Sequence, residues 1–159
     1  MADAPAEPIV PADMDPSAVR ALGPNPPATV KLFGWRLIAA DAEAGTIEVA
    51  FDGKPDFGKP AGFVQGGVLI AMMDDAAGPI VVMHSKGRVF PSSIDIHAHF
   101  LRPVRFGEIR VKARVVQIGR SVGFMTAELY DCRGKLCATG SISAALTPGV
   151  IKPVAEAAA

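Results

Sequence analysis

Residues 62–83 read Gly62-Phe63-Val64-Gln65-Gly66-Gly67-Val68-Leu69-Ile70-Ala71-Met72-Met73-Asp74-Asp75-Ala76-Ala77-Gly78-Pro79-Ile80-Val81-Val82-Met83. A glycine pair opens the stretch, apolar residues fill nearly every later position, and two adjacent carboxylates interrupt the middle. Apolar on all sides means a buried helix rather than a surface one. A membrane span would need about 20 apolar residues, and each central Asp would cost roughly 2.5–3.5 kcal/mol there. A phosphate-binding glycine loop would carry more glycines and a Lys before the helix, and this stretch has neither. Gly78-Pro79 is expected to kink or end the helix, because Pro79 lacks an N–H and crowds the carbonyl of Asp75.

Carboxylates are seldom fully buried unless they are paired or used. Asp74, in a buried helix behind a glycine-rich start, is therefore a candidate catalytic group. Asp75 lies about 100° further round the helix. It reads as a structural carboxylate that pairs with an Arg at a subunit contact.

The whole chain has 159 residues, 50% of them hydrophobic, and its 16 basic and 16 acidic residues cancel. That is one globular domain with enough apolar material for a core. A net charge of zero argues against general binding to nucleic acid or to an anionic membrane. Cys132 and Cys137 flank a probable turn with no neighbouring His to complete a metal set, so they read as free thiols in a reducing cytoplasm. Residues 1–13 carry Pro and acids and no basic n-region, unlike a secretion signal. The expected organisation is a mobile N-terminal tail over 1–28, a single domain over 29–147 and a C-terminal tail over 148–159. Within the first tail, Asp15 to Gly23 reads as a short helix with Asp15 as its cap and Pro16 at the first position.

From Thr29 the period changes to two. Val30, Leu32 and Gly34 alternate with Lys31 and Phe33, and Trp35-Arg36-Leu37-Ile38 continues an extended run. Asp41 to Gly45 is a turn, and Thr46 to Phe51 alternates again, which makes a hairpin. Asp52 to Ala61 is a loop leading into the helix. After Lys86-Gly87 the chain is strand and turn. Ile94, Ile96, Ala98 and Phe100 line one face, with Asp95, His97, His99 and Leu101 on the other. Ile109 to Val115, Val122 to Tyr130 and Leu136 to Leu146 follow. The expected class is α+β: one long central helix wrapped by a curved antiparallel sheet.

Gly62, Gln65, Gly66, Gly67 and Asp74 stand in the order Gly-x-x-[His]-Gly-Gly, then Asp eight residues after the first paired glycine. Downstream come Ser93-Ile94-Asp95-Ile96, Phe100-Leu101-Arg102-Pro103, Gly107, Gly119-Arg120 and Gly134. This ordered set, spread from Phe33 to Leu146, resembles the phenylacetate-type acyl-CoA thioesterases of the hotdog superfamily. The resemblance implies the hotdog fold and hydrolysis of an acyl-CoA to a carboxylic acid and coenzyme A, with no cofactor and no metal. It assigns the Gly66 N–H to polarising the thioester oxygen and Asp74 to acting as nucleophile or general base. Ser93 corresponds to the hydroxyl that positions the attacking water, and Ser92 would replace it if the strand were shifted by one. Two positions depart from the family. Gln65 replaces the usual His with an amide that cannot titrate, and Lys59 stands where many members carry an Asn that contacts the substrate carbonyl.

The residues themselves support part of this. Free N–H groups and the positive end of the macrodipole point out of a helix start. A glycine there lets a carbonyl approach closely, although glycines also permit close packing. Gly67 joins Gly66 as a candidate binding residue. Gly66 and Asp74 are separated by about 12 Å along one helix at 1.5 Å per residue, too far to act on one carbonyl. If both act, each comes from a different subunit. A homodimer is the expected minimal unit, and a dimer of dimers the expected assembly. Lys59, Arg102, Arg105 and Arg120 are candidates for phosphates or a carboxylate of the substrate. Met72, Met73 and Met83 read as core filling. His97 and His99 share a face, more simply a polar sheet face than a metal site. The competing reading is a non-catalytic acyl-CoA binder or sensor, motivated by Gln65 and Lys59. A hydratase or dehydratase would want a His beside a carboxylate, and none occurs before Met83.

Overall fold

The computed structural model describes residues 27–149. The short helix expected over Asp15–Gly23 lies outside them. The first described element is a helix, α1 (Ala28–Phe33), where the alternation at 29–34 suggested a strand. Gly34 explains the difference. It takes the left-handed conformation at φ 63°, its N–H bonds to the Lys31 carbonyl, and the Trp35 N–H bonds to the Val30 carbonyl. This is the pair of bonds that closes a helix on a glycine. The short helix turns Phe33 into the core, so the alternation was one helical turn misread as period two.

The hairpin β1 (Arg36–Asp41) and β2 (Thr46–Gly53) forms as expected. A 3₁₀ turn over Pro55–Phe57 leads towards α2 (Gly66–His84), and β3 (Val89–Phe100), β4 (Gly107–Ile118), β5 (Val122–Tyr130) and β6 (Leu136–Pro148) complete the order. All neighbours pair antiparallel in one six-stranded sheet, β1-β2-β4-β5-β6-β3. The sheet curls round α2, the hotdog architecture.

The core follows from the pattern. Ile109, Val111 and Ala113 face the helix and are buried, while Arg110, Lys112 and Arg114 point outward, the period of two that a strand imposes. Met72, Met73, Ile80 and Met83 of α2 are fully buried among them. The helix is long and apolar enough to cross a membrane, and the sheet of its own chain covers those residues instead.

Proline does not end the helix. α2 runs 19 residues with Pro79 inside it. Pro79 cannot donate to the Asp75 carbonyl, and the Trp35 indole N–H donates to that carbonyl at 3.2 Å in its place. Because an unmet buried carbonyl costs about 1–3 kcal/mol, the buried Trp35 compensates for the proline by meeting the Asp75 carbonyl, 40 residues away in sequence.

Candidate active site

An α-helix leaves its first four N–H groups without partners inside the helix. Here Gln65 occupies the capping position and takes up one of them: its side-chain Oε1 and its backbone carbonyl both accept from the Val68 N–H at 3.1 Å. The same carbonyl accepts the first regular helical bond, from Leu69 at 3.3 Å. The N–H groups of Gly66 and Gly67 find no acceptor among the described residues. The open donors at the helix start are therefore those of the glycine pair. Gln65 stands where the resembling family usually carries a His, and its side-chain oxygen is turned back into the cap.

Both glycines are also sterically constrained. A Cβ on Gly67 would stand 2.9 Å from the Gln65 Oε1, and one on Gly66 would stand 3.1 Å from the Phe100 Cζ. Close packing and open donors thus coincide at the same residues.

Two turns further along α2, the Ser93 hydroxyl donates to the Asp74 Oδ1 at 2.6 Å. Ser93 reaches it because the register between β3 and β6 shifts between Ser93 and Asp95, a bulge that pairs Ser93 with Ala144 on the inner face. The bulge corrects the expected row of inward residues. Ile94 drops out of it and is 62% exposed, and Ser93, Ile96, Ala98 and Phe100 form the inner face of β3. Ser92 is not the residue that meets Asp74. β3 is an edge strand, so this row lies along the open flank of the helix. Ser93 sits at Asp74, and Phe100 sits at Gly66.

Asp75 behaves differently from Asp74. Its Oδ2 is buried without a hydrogen-bond partner among the described residues. Burial, and then the neighbouring Asp74 charge, push its carboxyl up to about 6. The Arg expected to pair with it is not found within the described chain.

The remaining candidates divide between two ends. Lys59 is exposed in the loop before the helix, where its N–H donates to the Phe63 carbonyl. Arg105 lies over the Phe63 ring at 5.4 Å. Arg102 donates to the Leu136 carbonyl at 2.6 Å, just beyond Phe100. All three belong to the Gly66 end. Arg120 is exposed in the β4–β5 turn beside Ser121, whose carbonyl accepts from Leu146 at the far end of β6. That is the end of the sheet where Ser92 and Ser93 lie. One chain therefore does not bring Arg102 and Arg120 together. His97 and His99 pack edge to face with ring centres 4.6 Å apart, and no group of three metal-capable side chains occurs among the described residues. A trough of about 640 Å³ lined by Glu48, Lys112, Arg114, Glu128, Ser141 and His99 crosses the outer face of the sheet, away from Gly66, Asp74 and Ser93.

The model of the thioesterase superfamily matches residues 61–138, which include the glycine pair, Asp74, Ser93 and Phe100. A phenylacetic acid degradation-related protein of Ralstonia eutropha is 34% identical, with 81% of this chain and 98% of that one aligned at a TM-score of 0.74. The chain belongs to the thioesterase superfamily. The E. coli PaaI protein, at 20% identity and a TM-score of 0.71 over 79% of this chain and 88% of that one, shares the fold. A candidate esterase of Haemophilus influenzae is 28% identical over 88 residues, which is 54% of this chain and 62% of that one. A second candidate esterase, from Thermoplasma volcanium, matches over 53% of its own length, so the chain spans little more than half of these curated relatives. For this superfamily member, Phe100 and the buried state of Asp75 are the site features that sequence reading missed. Phe100 was visible as part of the Phe100-Leu101-Arg102-Pro103 motif and as an aromatic on the same strand face as Ile96 and Ala98, with no sign of its contact with Gly66. That the Asp75 Oδ2 has no partner among the described residues left no signal in the residue order.

Proposed function

We propose that the protein is an acyl-CoA thioesterase of the cytoplasm, in which water cleaves a thioester to a carboxylic acid and coenzyme A. One observation carries the reading. A single helix bears two open glycine N–H groups at its start and, about 12 Å further on, a carboxylate held by a serine. The first feature suits a developing oxyanion, at roughly 2.7–4 kcal/mol for a well-placed donor. The second suits a base or nucleophile. Free thiols at Cys132 and Cys137 support a reducing compartment.

The thioester oxygen rests on the Gly66 and Gly67 N–H groups of one chain. The Asp74 carboxylate of a second chain faces the carbonyl carbon. Ser93 occupies Oδ1 and leaves Oδ2 for the reaction. As a general base, Asp74 takes a proton from water while the water oxygen attacks the carbon, and the tetrahedral anion collapses by expelling the thiolate. As a nucleophile, Oδ2 attacks directly, the thiolate departs, and water cleaves the resulting anhydride. A homodimer holding two such shared sites is the minimal unit, and two dimers joined form the assembly. The open flank along edge strand β3 supports this pairing. In a shared site the Gly66 end, with Lys59, Arg102 and Arg105, meets the Asp74 end, with Arg120, so cations from both chains surround the coenzyme A phosphates.

The test is release of free thiol from a panel of aryl, short-chain and long-chain acyl-CoA esters. Turnover of at least one ester is expected, with a fall of at least about 10²-fold in Asp74→Asn. Gln65 is the observation on the other side: committed to capping, it supplies no titrating group beside Gly66. Tight binding of the esters without turnover would establish the acyl-CoA sensor instead.

A further inference from the structure

The ring of Phe100 stands where a side chain on Gly66 would go. Its Cζ, Cε1 and Cε2 lie 3.1, 3.5 and 3.5 Å from that Cβ position, so the tip of the ring points at the glycine. The residue ends β3 opposite Ala138, on the inner face of the sheet. Ala138 is fully buried, yet Phe100 remains 49% exposed, because β3 is the edge strand and no further strand of the chain covers the ring. A large apolar surface is thus held open directly beside the two free N–H groups.

A carbonyl whose oxygen accepts from Gly66 at about 2.9 Å holds its carbon on the order of 4 Å from that nitrogen, and the atoms that border the Cβ position of the same glycine are those of the Phe100 ring. The groups charged at neutral pH at this end lie elsewhere. Arg102 is turned to the Leu136 carbonyl, Arg105 lies over Phe63, and Lys59 belongs to the loop before the helix. We propose that Phe100 is a specificity-determining residue: its exposed ring is the wall against which an apolar acyl group lies when the carbonyl oxygen sits on Gly66. The site then favours esters with an apolar chain over the acetyl ester. This assignment rests on the thioester-binding reading above and names the acyl class for it.

The experiment compares acetyl-CoA with hexanoyl-CoA in the wild type, Phe100→Ala and Phe100→Leu. The ratio of kcat/KM for hexanoyl over acetyl should fall about tenfold in Phe100→Ala, the scale of discrimination that one lost methylene contact supplies. It should be largely restored in Phe100→Leu, which keeps apolar bulk, and inhibition by free coenzyme A should not change in either. An equal loss on both esters, a rise for hexanoyl-CoA, or an equal change in coenzyme A inhibition would overturn the assignment, since the ring would then shape the helix start, block the chain or contact the thiol half. Phe100→Gln, which keeps bulk and loses the apolar surface, carries the same comparison if the alanine variant does not fold, with the same fall in the ratio expected. Turnover of neither ester, nor of any other in the wider panel, by the wild type would sink the hydrolase reading alone. The assignment is then decided by the Kd values of the same two esters: selective weakening for hexanoyl-CoA upholds it, and equal weakening overturns it.

Discussion

Replacing Asp75 by Asn should stabilise the protein at neutral pH. The Asp75 carboxyl is half-buried, one oxygen has no partner, and Asp74 stands beside it. Moving the group from its ordinary 3.8 to about 6 corresponds to about 3 kcal/mol against the ionised form. Solvent reaching the side chain cuts that to about 1–2 kcal/mol. The sign follows from proton binding. Well below pH 4 the carboxyl is neutral in folded and unfolded chains alike, so wild type and variant should have similar stability. As pH rises from about 4 to about 6, the unfolded chain has lost its proton while the folded wild type still holds it, and the folded wild type falls behind. Above that the deficit is complete. Thermal melts of wild type and Asp75→Asn from pH 4 to pH 8 read this directly, at roughly 2–4 °C for each kcal/mol in a chain of this size. A variant less stable than wild type at pH 7.5 would refute the reasoning. It would mean that the ionised carboxylate has a cation beside it in the assembled protein, the Arg contact that the sequence suggested.

Ser93→Ala removes the hydroxyl at 2.6 Å from Asp74 and should lower kcat about tenfold with KM little changed, as loss of a positioning contact does; a change in KM alone would move Ser93 to substrate binding. Gln65→Ala deletes a helix cap and should cost about 1 kcal/mol, hence roughly 2–4 °C in Tm, measured by circular dichroism. An unchanged Tm would show that the amide is held for the substrate instead.

The hairpin and the last three strands were legible because hydrophobic period decides them, and the helix was legible because it is apolar on all sides. α1 was not, because six residues with two β-branched side chains fit both periods and only the Gly34 conformation separates them. Pro79 misled for a related reason. The rule that it breaks a helix assumes that the stranded carbonyl stays unmet, and Trp35 meets it across forty residues of sequence. At the site, Gly66, Gly67, Asp74 and Ser93 were singled out by the family resemblance that the ordered motif carries. The bulge that turns Ser93 rather than Ile94 inward depends on pairing with β6, which no local pattern encodes. The burial of Asp75 and the contact of Phe100 with Gly66 are products of tertiary packing in the same way.

Subunit complementation tests the shared site most directly. Asp74→Ala removes the carboxylate, and Gly66→Val puts a branched side chain between the helix start and Phe100, where even one Cβ stands 3.1 Å from the ring. Each variant refolded alone should be folded, dimeric by light scattering and inactive. Refolded together in equal amounts, half the dimers are mixed, and in each of these one site carries both lesions while the other is intact. About a quarter of wild-type thiol release should therefore return, by the arithmetic of an isologous two-fold interface. No recovery in a mixture shown to contain heterodimers would contradict the account, because Gly66 and Asp74 could not then act on one thioester from two chains.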